Sequence, residues 1–169
     1  MKPLSTLAQS VRASTTMAID TQFKKMRAEG IDVIGFSVGE PDFPTPERIK
    51  QAGIRAIEAD QTKYTPTPGT LAVRQAVCQR LAEDWGLHYT TDEVVVTGGG
   101  KPVLYTALKA LVNPGDEVIL PAPYWVSYYE LIQMVGGTPV VVETTEENGF
   151  NLTPQQLRQA ITPDRKSVV

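Results

Sequence analysis

At 169 residues, with 41% hydrophobic and 21% charged side chains, the chain has the size and apolar content of one domain with its own core. A net charge of −3 and a pI near 5.2 offer no basic surface, which argues against nucleic acid or an anionic membrane as partner. The lone cysteine, Cys78, excludes an internal disulfide and reads as a small buried hydrophobe on an apolar helical face, in keeping with a reducing compartment. No stretch approaches the ~18 consecutive apolar residues of a membrane span. The amino-terminal region lacks a signal peptide's apolar core, and Ser5, Thr6, Arg12, Ser14, Thr15 and Thr16, with no acid before Asp20, only faintly suggest a transit peptide. Cytoplasmic residence is the expectation.

In chain order, residues 1–15 read as an irregular arm. Residues 16–29 can be helical, with Met17, Phe23 and Met26 among the apolar positions and Gly30 as the stop. A short strand is predicted over residues 31–38. It runs into Gly39-Glu40-Pro41-Asp42-Phe43-Pro44-Thr45-Pro46, whose prolines fix its path. Thr45 is expected to cap the next helix with Pro46 in its first position, and Ile49, Ala52, Gly53, Ala56 and Ile57 keep the helical rhythm. The stiff loop Lys63-Tyr64-Thr65-Pro66-Thr67-Pro68-Gly69 precedes a helix over residues 70–85, with Val73, Val77 and Leu81 on one face. His88 and a Thr90-Thr91 cap follow. His88 has no second ligand at metal-binding spacing and reads as a loop histidine.

The stretch Val94-Val95-Val96-Thr97-Gly98-Gly99-Gly100-Lys101 and the apolar residues after it predict strand, tight turn and helix. The free N–H groups of a helix start, unobstructed by a Cβ at Gly98, Gly99 or Gly100, make an anion cradle. Two familiar phosphate motifs fail: a Walker A loop needs Gly at Val95 and Ser or Thr at Pro102, and a dinucleotide fingerprint needs Gly at Val103. A plain connecting turn is the alternative at this point.

Beyond that helix, Asn113-Pro114-Gly115-Asp116 suits a type II turn. A strand is predicted over residues 117–120, broken by Pro121-Ala122-Pro123, then a helix over 124–135 ending at Gly136-Gly137, and a strand over 139–144. Thr153, Pro154 and Gln156 form a capping box for a helix to Ile161, and a fourth strand begins at Lys166. This alternation predicts an α/β fold, a mostly parallel sheet with helices on both faces. Ligands in such sheets sit beyond the strands' carboxyl ends. Thr97 leads to the glycine turn and Leu120 to Tyr124-Trp125, so a phosphate at one and a flat ring on the indole at the other describe a phosphorylated aromatic cofactor. Trp125 as a mere core anchor is the plainer alternative.

Five separated motifs carry a resemblance: Gly39-Glu40-Pro41-Asp42-Phe43; Lys63-Tyr64 with Gly69; Thr97-Gly98-Gly99-Gly100-Lys101; Pro114-Gly115-Asp116-Glu117-Val118; and Pro123-Tyr124-Trp125-Val126-Ser127-Tyr128. Together they resemble a class I, fold type I aminotransferase, most of all the bacterial aspartate aminotransferases, some of which also use prephenate. The resemblance implies pyridoxal 5′-phosphate as cofactor, an amino acid and a 2-oxo acid as substrates, and a homodimer when complete. It implies that Gly99, Gly100 and Lys101 bind the phosphate, chiefly through backbone N–H, and that Tyr64 reaches the phosphate of the neighbouring subunit's cofactor. Trp125 would stack on the pyridine ring and help place the substrate. Gly39 would meet the α-carboxylate, with Lys109 a candidate for the distal carboxylate. Residues 1–45 would be an arm and small-domain segment, and residues 46–169 the amino-terminal part of the cofactor-binding large domain.

Family members run to about twice this length or more. The asparagine at the cofactor's phenolic oxygen, the aspartate at its ring nitrogen, the Schiff-base lysine and the arginine for the α-carboxylate have no match here. The chain reads as the amino-terminal part of an aminotransferase, contributing no catalytic residue and inactive alone. A fold type I lyase or synthase, and a non-catalytic remnant that keeps a phosphate cradle, are the competing readings.

Overall fold

The computed structural model describes residues 3–11, 14–36, 38–162 and 165–168, which fall into two compact units: residues 12–65, and residues 66–169 with 1–11.

In the unit of residues 12–65, two helices are joined by a long irregular segment. A first short helix, α1 (Thr6–Ser10), belongs to the other unit and corrects the reading of residues 1–15 as an irregular arm. Helix α2 (Thr15–Ala28) starts where the Ser14 hydroxyl accepts the Met17 N–H, and the chain leaves it through Gly30 at φ +79°. The described residues of 31–38 form no strand, contrary to expectation: a β-branched run becomes a strand only when a neighbour completes its ladder, and none does. Helix α3 (Glu47–Glu58) follows. Here Pro46 is itself the cap and no side chain caps the helix, so the expected Thr45 cap with Pro46 inside is corrected. Proline needs no N–H at either position.

In the other unit, helix α4 (Leu71–Trp85) is capped by the Thr70 hydroxyl and closed by Gly86 in the left-handed conformation, as Gly after a last turn should be. Helix α5 (Gly100–Leu111) leads through the Asn113–Asp116 turn, with Gly115 at φ +91° and the Asp116 N–H on the Asn113 carbonyl at 3.1 Å. Strand β1 (Glu117–Ala122), helix α6 (Val126–Met134), strand β2 (Thr138–Glu143), helix α7 (Pro154–Ala160) and strand β3 (Arg165–Val168) complete the order. The sheet runs β2-β1-β3, all parallel.

The core sits between β1 and the helices: Val118, Leu120, Ile132 and Val135 are fully or almost fully buried, with Leu108, Val112 and Leu131 around them. Cys78 is only half-buried, because the face of α4 that carries it lies outside this core. Strand β1 also continues through Pro121 and Ala122, where a break was expected. Both residues stay in register with β2, Pro121 opposite Val142 and Ala122 opposite Glu143. The capping box at Thr153 and Gln156 forms as predicted, and Gln156 also donates to the Glu143 carbonyl at 2.8 Å, tying α7 to the end of β2. The fourth strand is present to Val168. Val169 lies outside the described residues.

Candidate functional site

The glycine turn is mounted on α4. The Arg74 guanidinium, mostly buried, donates to the Thr91 carbonyl at 2.6 Å and lies 3.7 Å from Asp92. It thereby holds a single 3-10 turn, Thr91–Glu93, that is closed by a capping box between Thr90 and Glu93. The Glu93 carboxylate accepts the Thr90 N–H at 2.8 Å and the Thr90 hydroxyl at 2.9 Å, and these bonds hold its pKa below the ordinary glutamate value.

Residues 94–97 then run extended, but they pair with no strand among the described residues, which corrects the expected central strand. Their anchor is a loop instead. The Val96 N–H donates to the Pro68 carbonyl at 3.0 Å, and Gly69, at φ +96°, packs so closely on Val96 that a Cβ there would lie 3.1 Å from the valine's own.

At the turn itself the Thr97 hydroxyl donates to the Gly99 carbonyl at 2.7 Å. Gly99 has φ +120° and ψ 172°, a backbone region essentially reserved for glycine. Gly100 opens α5, and the N–H groups of Gly99, Gly100 and Lys101 find no acceptor among the described residues. Pro102, next in the first turn, has no N–H, so the helix start concentrates its free donors on these three residues. A Cβ on Gly98, Gly99 or Gly100 would meet no heavy atom within 4 Å. Three unpaired donors facing open space suit a phosphate ester, and the residues present therefore fit that end of pyridoxal phosphate.

Trp125 caps α6, half-exposed at 44%. The structure brings it to the cradle's helix through a contact that the sequence did not disclose: the Lys101 Nζ lies 4.9 Å from the centre of the indole. Tyr128, three residues on, meets the indole edge-to-face at 5.5 Å and 87°. Local spacing hints at the Tyr128 contact, as it does at the Thr97 hydroxyl closing its own turn. The Lys101 contact depends on how α5 and α6 pack, which no local pattern encodes.

Of the other site residues, one shares the cradle's helix and two belong to the other unit. Lys109 is in the last turn of α5, about 13 Å along the axis from Gly100 at 1.5 Å per residue. Tyr64 and Gly39 belong to the unit of residues 12–65, and both are exposed. Among the described residues, no helix is long and apolar enough to cross a membrane.

The family model described as aminotransferase class I and II matches residues 31–169. The chain is 50% identical over 163 residues to the aspartate/prephenate aminotransferase of Cereibacter sphaeroides, covering 96% of this chain and 41% of that protein. It is 48% identical over 160 residues to the aspartate aminotransferase of Geobacillus stearothermophilus, covering 95% and 41%. Among solved structures, the aspartate aminotransferase of Thermus thermophilus with maleate superposes with a TM-score of 0.94 at 41% identity, over 99% of this chain and 44% of that one. The chain spans about two-fifths of the length of these relatives. With an open glycine cradle beside an indole, a parallel α/β sheet and these likenesses throughout, the chain belongs to the class I and II aminotransferase family.

Proposed function

We propose that this chain supplies the phosphate-anchoring and ring-stacking part of an aminotransferase site. The full protein would move an amino group from aspartate or a similar acidic amino acid to a 2-oxo acid. The observation that carries the proposal is the helix start at Gly99, Gly100 and Lys101, with three unpaired N–H donors and Trp125 beside it. Bound pyridoxal phosphate would supply the carbonyl that accepts the amino group and the ring that draws electrons from the substrate's α-carbon.

The chain's own residues orient and hold. Hydrogen bonds to a charged group are worth about 1.5–3 kcal/mol each, against about 0.3–1 kcal/mol for a charge at a helix dipole. The three amides, more than the dipole, would fix the phosphate. Trp125 would shield one side of the ring from water and set its plane. Gly39 would offer its backbone to the α-carboxylate and Tyr64 its hydroxyl to the phosphate in the other subunit of a homodimer. Lys109, at the far end of α5 from the cradle, is the proposed contact that the geometry supports least. The small-domain segment, residues 1–45, and the large-domain part, residues 46–169, would divide the labour as in the family, in the cytoplasm. The dicarboxylate maleate in the Thermus thermophilus structure supports an acidic substrate.

The lysine that moves a proton at the substrate α-carbon has no counterpart assigned here. Lys101 is turned to the indole and Lys109 lies a helix length away. The purified chain, assayed with aspartate, 2-oxoglutarate and pyridoxal phosphate, is therefore expected to show no turnover, while a longer form carrying the rest of the fold is expected to be active. Steady turnover by the 169-residue chain, free of host enzyme, would overturn the proposal.

A further inference from the structure

We infer that Lys101 is a positioning residue for Trp125, and that through it the anion cradle and the indole are mechanically one unit. Two parts of the same residue serve two ends of the site. Its backbone N–H is one of the three unpaired donors at the start of α5, while its Nζ rests 4.9 Å from the indole centre, within the ~6 Å over which an ammonium is drawn to a ring face.

Trp125 needs such a prop. It stands before the first turn of α6 with 44% of its surface exposed, no side-chain cap bond fixes it, and its other ring contact is the edge of Tyr128. An ammonium drawn to the ring biases the indole's orientation, alongside the Tyr128 ring that stands at 87° to it. The lysine side chain is accordingly spent on the tryptophan, and the cradle's hold on an anion falls to backbone amides. Occupation of those amides tightens the first turn of α5 and is transmitted by the lysine stem to the indole. This last step rests on the cradle reading; the Lys101–Trp125 contact does not.

The chain's two tryptophans allow a test with an internal control, because Trp85 lies at the end of α4. In the chain labelled with 15N at the indole nitrogens, Lys101→Met should displace the Trp125 resonance and leave that of Trp85 in place. Lys101→Arg, which keeps a cation able to sit on a ring, should restore Trp125 toward its wild-type position. If Lys101→Met moves Trp85 too, the arginine variant alone decides: a Trp125 resonance near wild type supports the contact. A Trp125 resonance unmoved by methionine, displaced as far by arginine as by methionine, or coincident with a random-coil indole in the wild-type chain would overturn it. Added pyridoxamine 5′-phosphate should shift Trp125 in the wild type and at least several-fold less in Lys101→Met. No response to the phosphate in either, with the Lys101→Met displacement intact, would overturn the coupling through the cradle and leave the contact standing.

Discussion

At residue scale the site turns on what glycine permits. Gly99 adopts φ +120°, and a substitution there strains the backbone by about 1–3 kcal/mol whatever it does to a ligand. Gly100 separates the two effects. It is helical, and a Cβ on it meets nothing within 4 Å, so Gly100→Ala should gain up to about 1 kcal/mol of helix stability. If phosphate approaches this backbone, the same methyl should obstruct it. The expected outcome in a full-length protein carrying this sequence is an unchanged or raised Tm with cofactor affinity down about tenfold or more. Lys101→Ala should weaken retention much less, and cofactor dissociation measured beside thermal unfolding checks both. The glycines were legible in the sequence because no other residue suits a turn of this kind. The Lys101 ammonium on Trp125 was not, because two residues that far apart meet only through the packing of α5 on α6.

At the scale of elements, helices were readable and strands much less so. The capping box at Thr153 and Gln156 and the periodicity read over residues 16–29 and 70–85 are local chemistry, and the structure places α7, α2 and α4 within about a residue of those expectations. Residues 31–38 and 94–97 have strand composition yet make no ladder among the described residues. A strand is defined by its partner, and the partner is not in the local sequence. What holds residues 94–97 is the Thr90–Glu93 box at one end and the Pro68 carbonyl at the other. The box carries a pH dependence. Bonds from the Thr90 N–H and hydroxyl lower the Glu93 pKa in the fold, so its stabilisation is complete above the ordinary glutamate range, about pH 4–5, and is lost as pH falls through the lowered value. A carboxyl titration by NMR should show Glu93 with a midpoint below the ordinary glutamate value, and the Thr90 amide losing protection in step with it. In Thr90→Ala, which removes the hydroxyl but keeps the backbone N–H, the depression should shrink and not vanish.

For the whole molecule, one three-stranded parallel sheet provides the buried core, while many large apolar side chains stay exposed, Val95 and Val96 beside the cradle among them. Parallel sheets are ordinarily covered on both faces. The proposed dimer gives the exposed Tyr64 its task, and an isologous assembly makes that task testable. Mixing a full-length Tyr64→Phe protein with one disabled at Gly99 should recover one hybrid site of near-native affinity per mixed dimer. Mixed dimers without recovery would place Tyr64 outside the partner's site.

The account's central claim is that the backbone amides at the start of α5 capture the cofactor's phosphate. Pyridoxamine 5′-phosphate, which has no aldehyde to react with lysines, can be titrated into the 15N-labelled chain. The amide resonances of Gly99, Gly100 and Lys101 are predicted to shift together and saturably, to respond to inorganic phosphate as well, and to ignore unphosphorylated pyridoxamine. Amides that stay still at saturating ligand, or that respond equally to the unphosphorylated amine, would contradict the account.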